Sequence, residues 1–218
     1  MECFFIGRKF YLTSIKQTHP LNMEVKRNEY YPKNRKAWRN WLQKNHAGRQ
    51  HVWLVMYKKG TGKPTLRYEE VVEEALCFGW IDSVSNKRDE ESRFLYITTR
   101  KPKSGWSALN KKRIERLTVE NKMTPAGLQK IEAAKKDGSW SALDKIEALE
   151  MPAVLKRAFA KNKNALSGFD RFPPSAKKQL FYWVESAKTG STKEKRVTET
   201  VTLAEKNIRA NQWKPKKS

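Results

Sequence analysis

An α+β fold is predicted for this chain: a small mixed α/β region with a few short strands, followed by an all-helical C-terminal region. Three observations predict it. Short β-prone runs fall only in the first half, at 52–57, 80–83 and 93–99. The segments between them repeat apolar residues every three to four positions, as amphipathic helices do. Beyond Gly138 every apolar pattern has the helical period.

The elements follow in order. Asn34 is placed to cap a helix carrying Trp38, Trp41 and Leu42, which ends near His46 and Gly48. Residues 52–57 form a short apolar run and read as a largely buried strand. Gly60, Gly62 and Pro64 make the next stretch a turn. A helix is predicted over 68–78, with Val71, Val72, Ala75 and Leu76 on one side and Glu69, Glu70, Glu73 and Glu74 on the other. Gly79 stops it, and strands follow from Trp80 and from Arg93. Ser107 caps a helix to about Asn121, Thr124-Pro125 opens another, and Asp137-Gly138 closes that one. Further helices are predicted near 142–149, 152–160, 174–188 and 193–209. The expected organisation is 1–22 as an extension with Met23 a candidate start, 23–138 as the α+β region, 139–213 as the helical region and 214–218 as a basic tail.

With 218 residues, 38% of them hydrophobic, the chain is long enough to bury a core. A domain of such size buries roughly 70% of its unfolded surface, so no disulfide or metal staple is required. Two cysteines, Cys3 and Cys77, make no disulfide framework, and no run has the length of a membrane span or of a signal-peptide core. A cytoplasmic protein is expected. The net charge is +23, unevenly spread. Residues 1–68 hold fifteen Lys and Arg against three acids, residues 69–150 fifteen against fifteen, and residues 151–218 sixteen against five. Two basic flanks around a balanced middle attract polyanions, although solvated lysine faces account for the same composition through solubility.

Several catalytic patterns fail on spacing. Lys59-Gly60-Thr61-Gly62-Lys63-Pro64 suggests a phosphate loop, but Tyr57 stands where its first glycine belongs and Pro64 where the magnesium-binding hydroxyl belongs. His46 and His51 are five apart, wrong for a metal pair on one helix. Neither a Gly-x-Ser-x-Gly elbow nor a Gly-x-Gly-x-x-Gly fingerprint occurs. Cys77 lies in an apolar run near a helix C-terminus, which disfavours a thiolate. The pattern calls for no cofactor and no metal, and it favours binding over catalysis.

Two stretches remain as candidates. Asp82 follows the apolar run that ends in Trp80 and Ile81, and so reads either as a ligand anchor in a cleft or as a turn acid. Arg100-Lys101-Pro102-Lys103-Ser104-Gly105-Trp106-Ser107 puts three cations before a helix start, with Trp106 as a stacking face. Cations interleaved with an aromatic suit a phosphate or nucleic-acid site, while a solvated strand-to-helix loop has the same composition. The candidate ligand-binding set is Trp80, Asp82, Arg100, Lys101, Lys103, Ser104 and Trp106. A short echo, Trp106-Ser107-Ala108-Leu109 and Trp140-Ser141-Ala142-Leu143, is too brief for a repeat array and reads as two Trp-anchored helix starts.

From about Tyr30 onward the chain resembles the YdeI/OmpD-associated, bacteriocin-protection family. The resemblance is carried by Tyr31-Pro32-Lys33, by Val52-Trp53-Leu54 and above all by Glu73-Glu74-Ala75-Leu76-Cys77-Phe78-Gly79-Trp80-Ile81-Asp82-Ser83. Arg100 to Ser104, Trp106-Ser107 and Ile208-Arg209-Ala210-Asn211-Gln212-Trp213 extend it. The family's names imply envelope stress or protection against antimicrobial peptides, and the resemblance supplies no catalytic residues. Three functional expectations stand: a binder of nucleic acid or another polyanion, a small-molecule binder or enzyme with a pocket around Asp82 and loop 100–106, and a protein-interaction module acting through the C-terminal helices.

Overall fold

The structure, a computed structural model, describes residues 28–212. It divides into two compact units between Trp140 and Ser141. The α+β prediction holds: the strands lie in the first unit, and the second is built of helices.

The first unit runs β1 (Glu29–Tyr30), α1 (Arg35–Asn45), β2 (His51–Tyr57), α2 (Tyr68–Cys77), β3 (Trp80–Lys87), β4 (Ser92–Thr99), α3 (Ala108–Val119) and α4 (Pro125–Lys136). The strands form one sheet in the order β1-β2-β4-β3. β1 pairs parallel to β2, and the other pairs are antiparallel. Local chemistry sets the helix starts. Asn34 accepts from the Ala37 amide at 2.9 Å, Ser107 from Asn110 at 3.3 Å and Thr124 from Gly127 at 3.4 Å, each a side-chain N-cap. Gly79, at φ +73, reverses the chain from α2 into β3.

One face of the sheet makes the core. Val52, Leu54 and Met56 of β2 and Leu95 and Ile97 of β4 pack with Trp38 and Leu42 of α1 and with Val71 and Ala75 of α2. A fully buried side chain of this kind contributes about 1.5–3 kcal/mol. The Trp38 indole N–H donates to the Val71 carbonyl at 3.0 Å, so its burial leaves no orphan donor.

Two glutamates on the acidic side of α2 are buried: Glu73 is 8% exposed and Glu74 only 2%. Three arginines make the difference. Glu74 binds Arg35 at 2.5 Å and Arg39 at 2.7 Å, while Glu73 binds Arg35 at 3.0 Å and also Arg116. The acids thus tie α2 to α1 and α3.

The second unit holds α5 (Asp144–Glu147), α6 (Ala153–Ala160), α7 (Lys163–Asp170), α8 (Pro174–Glu185) and α9 (Gly190–Glu205). The helix predicted at 142–149 is a single turn, closed by Leu149 at φ +59. Helix α7 is not foreseen by the sequence reading. Leu155, Phe159, Phe169, Leu180, Phe181 and Val184 form this unit's core. Gly168 of α7 lies directly on the Ala204 carbonyl of α9, a contact closed to any larger residue. Of the apolar stripes predicted on 174–188 and 193–209, Leu180, Trp183, Val184, Val197, Val201 and Ala204 pack in this core, while Ile208 lies beyond α9 and is exposed. No helix of the described residues is long and apolar enough to cross a membrane.

Candidate functional site

The sheet pairing decides what reaches each face. Opposed residues of an antiparallel pair point the same way. The pairs Trp53↔Tyr96, Val55↔Phe94 and His51↔Thr98 therefore lie on the face opposite Leu54 and Ile97. None of these side chains belongs to the hydrophobic clusters of the described residues. They contact one another instead. The rings of Trp53 and Tyr96 are 4.7 Å apart, Trp53 and Phe94 5.7 Å, and His51 and Tyr96 5.3 Å with 31° between their planes. Phe94 is buried; His51, Trp53 and Tyr96 are half-buried. Arg88 lies over the Phe94 ring and reaches Glu29 on β1 at 3.8 Å. Burial raises the Tyr96 phenol above its usual pKa, so the ring is neutral at physiological pH.

At the end of the sheet where β2 begins and β4 ends, the adjoining segments carry cations. Gln50 accepts from the Thr99 amide at 3.0 Å and from the Thr98 hydroxyl at 2.9 Å, which joins the start of β2 to the end of β4. Arg49 precedes Gln50, is exposed, and is held by Asn45 at 3.1 Å and Asn28 at 2.9 Å. Beyond β4 comes the loop with Lys101 and Lys103, both exposed. Lys103 sits at φ +58, its amide donating to Asp137 at 3.2 Å, and the Ser104 hydroxyl closes the turn on the Lys101 carbonyl at 2.7 Å. The loop is thus a fixed turn on which Lys101 and Lys103 are exposed.

The seven residues predicted as a ligand set divide. Trp80 is a core residue, 1% exposed, with its ring edge-on to Trp41 at 6.0 Å. Trp106, expected as a stacking face, is 2% exposed; Arg100 lies 3.5 Å over its ring and Trp140 stands 5.2 Å away. The two Trp-Ser-Ala-Leu echoes thus meet through their tryptophans. Arg100 itself is 6% exposed and donates to the Gly105 carbonyl at 2.8 Å. Burial pushes its pKa down to about 10, and the Asp82 charge opposes that shift, so it stays a cation at neutral pH. Asp82 is half-buried and accepts from the Tyr68 hydroxyl at 2.7 Å. Arg100 and Trp106 spend their surfaces on each other, and of the set only Lys101 and Lys103 are exposed, Ser104 and Asp82 being half-buried.

Sequence reasoning missed the aromatic row. Its signal lay in Phe94 and Tyr96 alternating with Leu95 and Ile97, apolar on both faces of one strand, and in Trp53 opposite them. His51 and His46 do not form a metal pair: His51 packs on Tyr96 and His46 on Phe78. Among the described residues no three of His, Cys, Asp and Glu group as a metal site.

Residues 148–207 match the family described as Bacteriocin-protection, YdeI or OmpD-Associated. The resemblance read from the sequence is borne out over that part of the chain. Residues 30–130, which include the Glu73 to Ser83 signature and the aromatic row, match a different family, Domain of unknown function (DUF8412). No curated protein and no solved structure matches the chain.

Proposed function

We propose that this protein is a non-catalytic binder of single-stranded nucleic acid, which it meets on the outer face of its four-stranded sheet. One observation carries the reading: the half-buried rings of His51, Trp53 and Tyr96 stand in a row on that face, and the exposed cations Arg49, Lys101 and Lys103 belong to the segments at the sheet end where β2 begins and β4 ends. Unstacked bases stack on aromatic side chains of an open sheet, while cations beside it take the phosphates. Charge supports the same partner, since residues 28–140 hold 24 Lys and Arg against 13 acids. Loop 100–106 contributes phosphate contacts in this reading rather than a stacking surface. The reading keeps the protein in the cytoplasm.

The experiment is a titration with fluorescent single- and double-stranded oligonucleotides across a series of salt concentrations. Three phosphate contacts predict a slope of log K against log salt near −2 for single strands, from roughly −0.7 per contact. Lys103→Ala lowers that slope by about 0.7. Equal affinity for duplex and single strand, or no binding at about 150 mM salt, rejects the aromatic face as the reader and leaves the charge as a solubility device.

A further inference from the structure

The second unit carries a cavity of its own, independent of the sheet. It measures about 370 Å³ and lies between the turn that precedes α8 and the segment that follows α9. Phe172, Pro173 and Ile208 are the apolar members of its lining; Phe172 is buried and Ile208 is 47% exposed. Two guanidiniums, Arg171 and Arg209, stand at the same cavity.

Arg35, Arg39, Arg67, Arg88 and Arg116 meet carboxylates, whereas Arg171 and Arg209, like Arg49 and Arg113, are bonded to amide side chains. No carboxylate of the described residues lies within 4.0 Å of Arg171 or Arg209. Each is oriented instead by a neutral amide. Arg171 Nε donates to Asn207 at 3.5 Å, and the Gln212 amide, turned to its satisfied orientation, accepts from Arg209 Nε at 2.7 Å. An amide fixes the direction of a guanidinium without neutralising it. Asn207 is itself held at φ +55 by the turn that ends α9, where the Ile208 amide returns to the Leu203 carbonyl at 2.9 Å.

We infer that this cavity binds a small organic carboxylate, its oxyanion between Arg171 and Arg209 and its apolar body on Phe172, Pro173 and Ile208. Guanidinium forks match carboxylates geometrically and bind them with charge-assisted bonds. An apolar lining beside them selects a carboxylate carried on a hydrophobic group over a bare inorganic anion. The site does not depend on nucleic-acid binding by the first unit.

The test is an amide-resolved NMR titration of the full chain with benzoate, and in parallel with inorganic phosphate. The expected result is saturable shifts centred on Arg171, Ile208 and Arg209, with benzoate bound at about 1 mM or tighter, the weak end of measurable affinity. Arg209→Gln, at an exposed position bonded only to Gln212, weakens benzoate at least fivefold with an unchanged fold, and Arg171→Gln does the same. Phosphate binds more weakly than benzoate. Unsaturated shifts at tens of millimolar benzoate, shifts that persist in Arg209→Gln, or phosphate binding equal to benzoate each overturn the proposal.

Discussion

Replacing Glu74 by Gln tests the charge cluster that joins α1, α2 and α3. The carboxylate is 3% exposed, with Arg35 at 2.5 Å and Arg39 at 2.7 Å. Glutamine has the same shape but no charge, and its amide N–H₂ faces donors. Removing one partner of a buried pair costs about 3–5 kcal/mol. The side chains of Arg35 and Arg39 are 31% and 34% exposed, so water recovers part of that loss. The expected cost is therefore about 2–3 kcal/mol, at or below the low end of that range. With a urea m-value of about 1.5 kcal/mol/M, the midpoint falls by about 1.3–2 M. Tryptophan fluorescence reads this unit selectively, because six of the eight tryptophans lie at or before Trp140. Glu70→Gln is the control: its partner Arg67 is 74% exposed, and solvent screens such a pair so that it contributes little. Equal shifts for the two variants would refute the claim that burial and the shared arginines set the strength of the cluster.

Three further outcomes follow from particular contacts. Gly168→Ala destabilises the second unit by about 1–3 kcal/mol as overpacking, against the usual gain of nearly 1 kcal/mol for Ala in a helix, because its Cβ would meet the Ala204 carbonyl; Gly190→Ala, with open space around it, does not, and thermal melts compare them. In a Cys3→Ser background, Cys77 resists alkylation at pH 8 until the chain is unfolded, since burial, aided by Glu74, raises its thiol pKa to about 11 from 9.0. The folded thiol keeps its proton after the unfolded one has lost it, so this group's stabilisation is full below about pH 9 and declines towards pH 11, by up to about 1.4 kcal/mol per pH unit, which urea midpoints across that range measure. Arg100→Lys keeps the charge but loses the planar stack on Trp106, and costs about 1–2 kcal/mol in urea unfolding.

Much of the fold was legible because it is written in local chemistry. Asn34, Ser107 and Thr124-Pro125 mark helix starts, and Gly79 marks a stop, through bonds and dihedrals that depend on a few neighbours. Helix α7 escaped because Gly168 reads as a breaker in sequence, while in the fold it is the residue that lets Ala204 approach. The burial of Glu73 and Glu74 was not legible because a binary pattern does not show arginines arriving from α1 and α3. The candidate site was less legible for the same reason. Trp80 and Trp106 are aromatic residues near charge, as a ligand face requires, but which face of the sheet the helices cover is settled only by packing. That packing put both tryptophans inside and left His51, Trp53 and Tyr96 on the other side.

The most direct test of the central claim is the affinity of Tyr96→Ala for a single-stranded oligonucleotide at about 150 mM salt. Stacking is worth about 1–3 kcal/mol per base, and a half-buried ring offers one face, so a loss near 1–2 kcal/mol is expected. That is a five- to thirtyfold weakening, at about 1.4 kcal/mol per tenfold, with the salt slope unchanged. Affinity within twofold of the unmodified protein would mean that bases do not stack on this face, and would contradict the account.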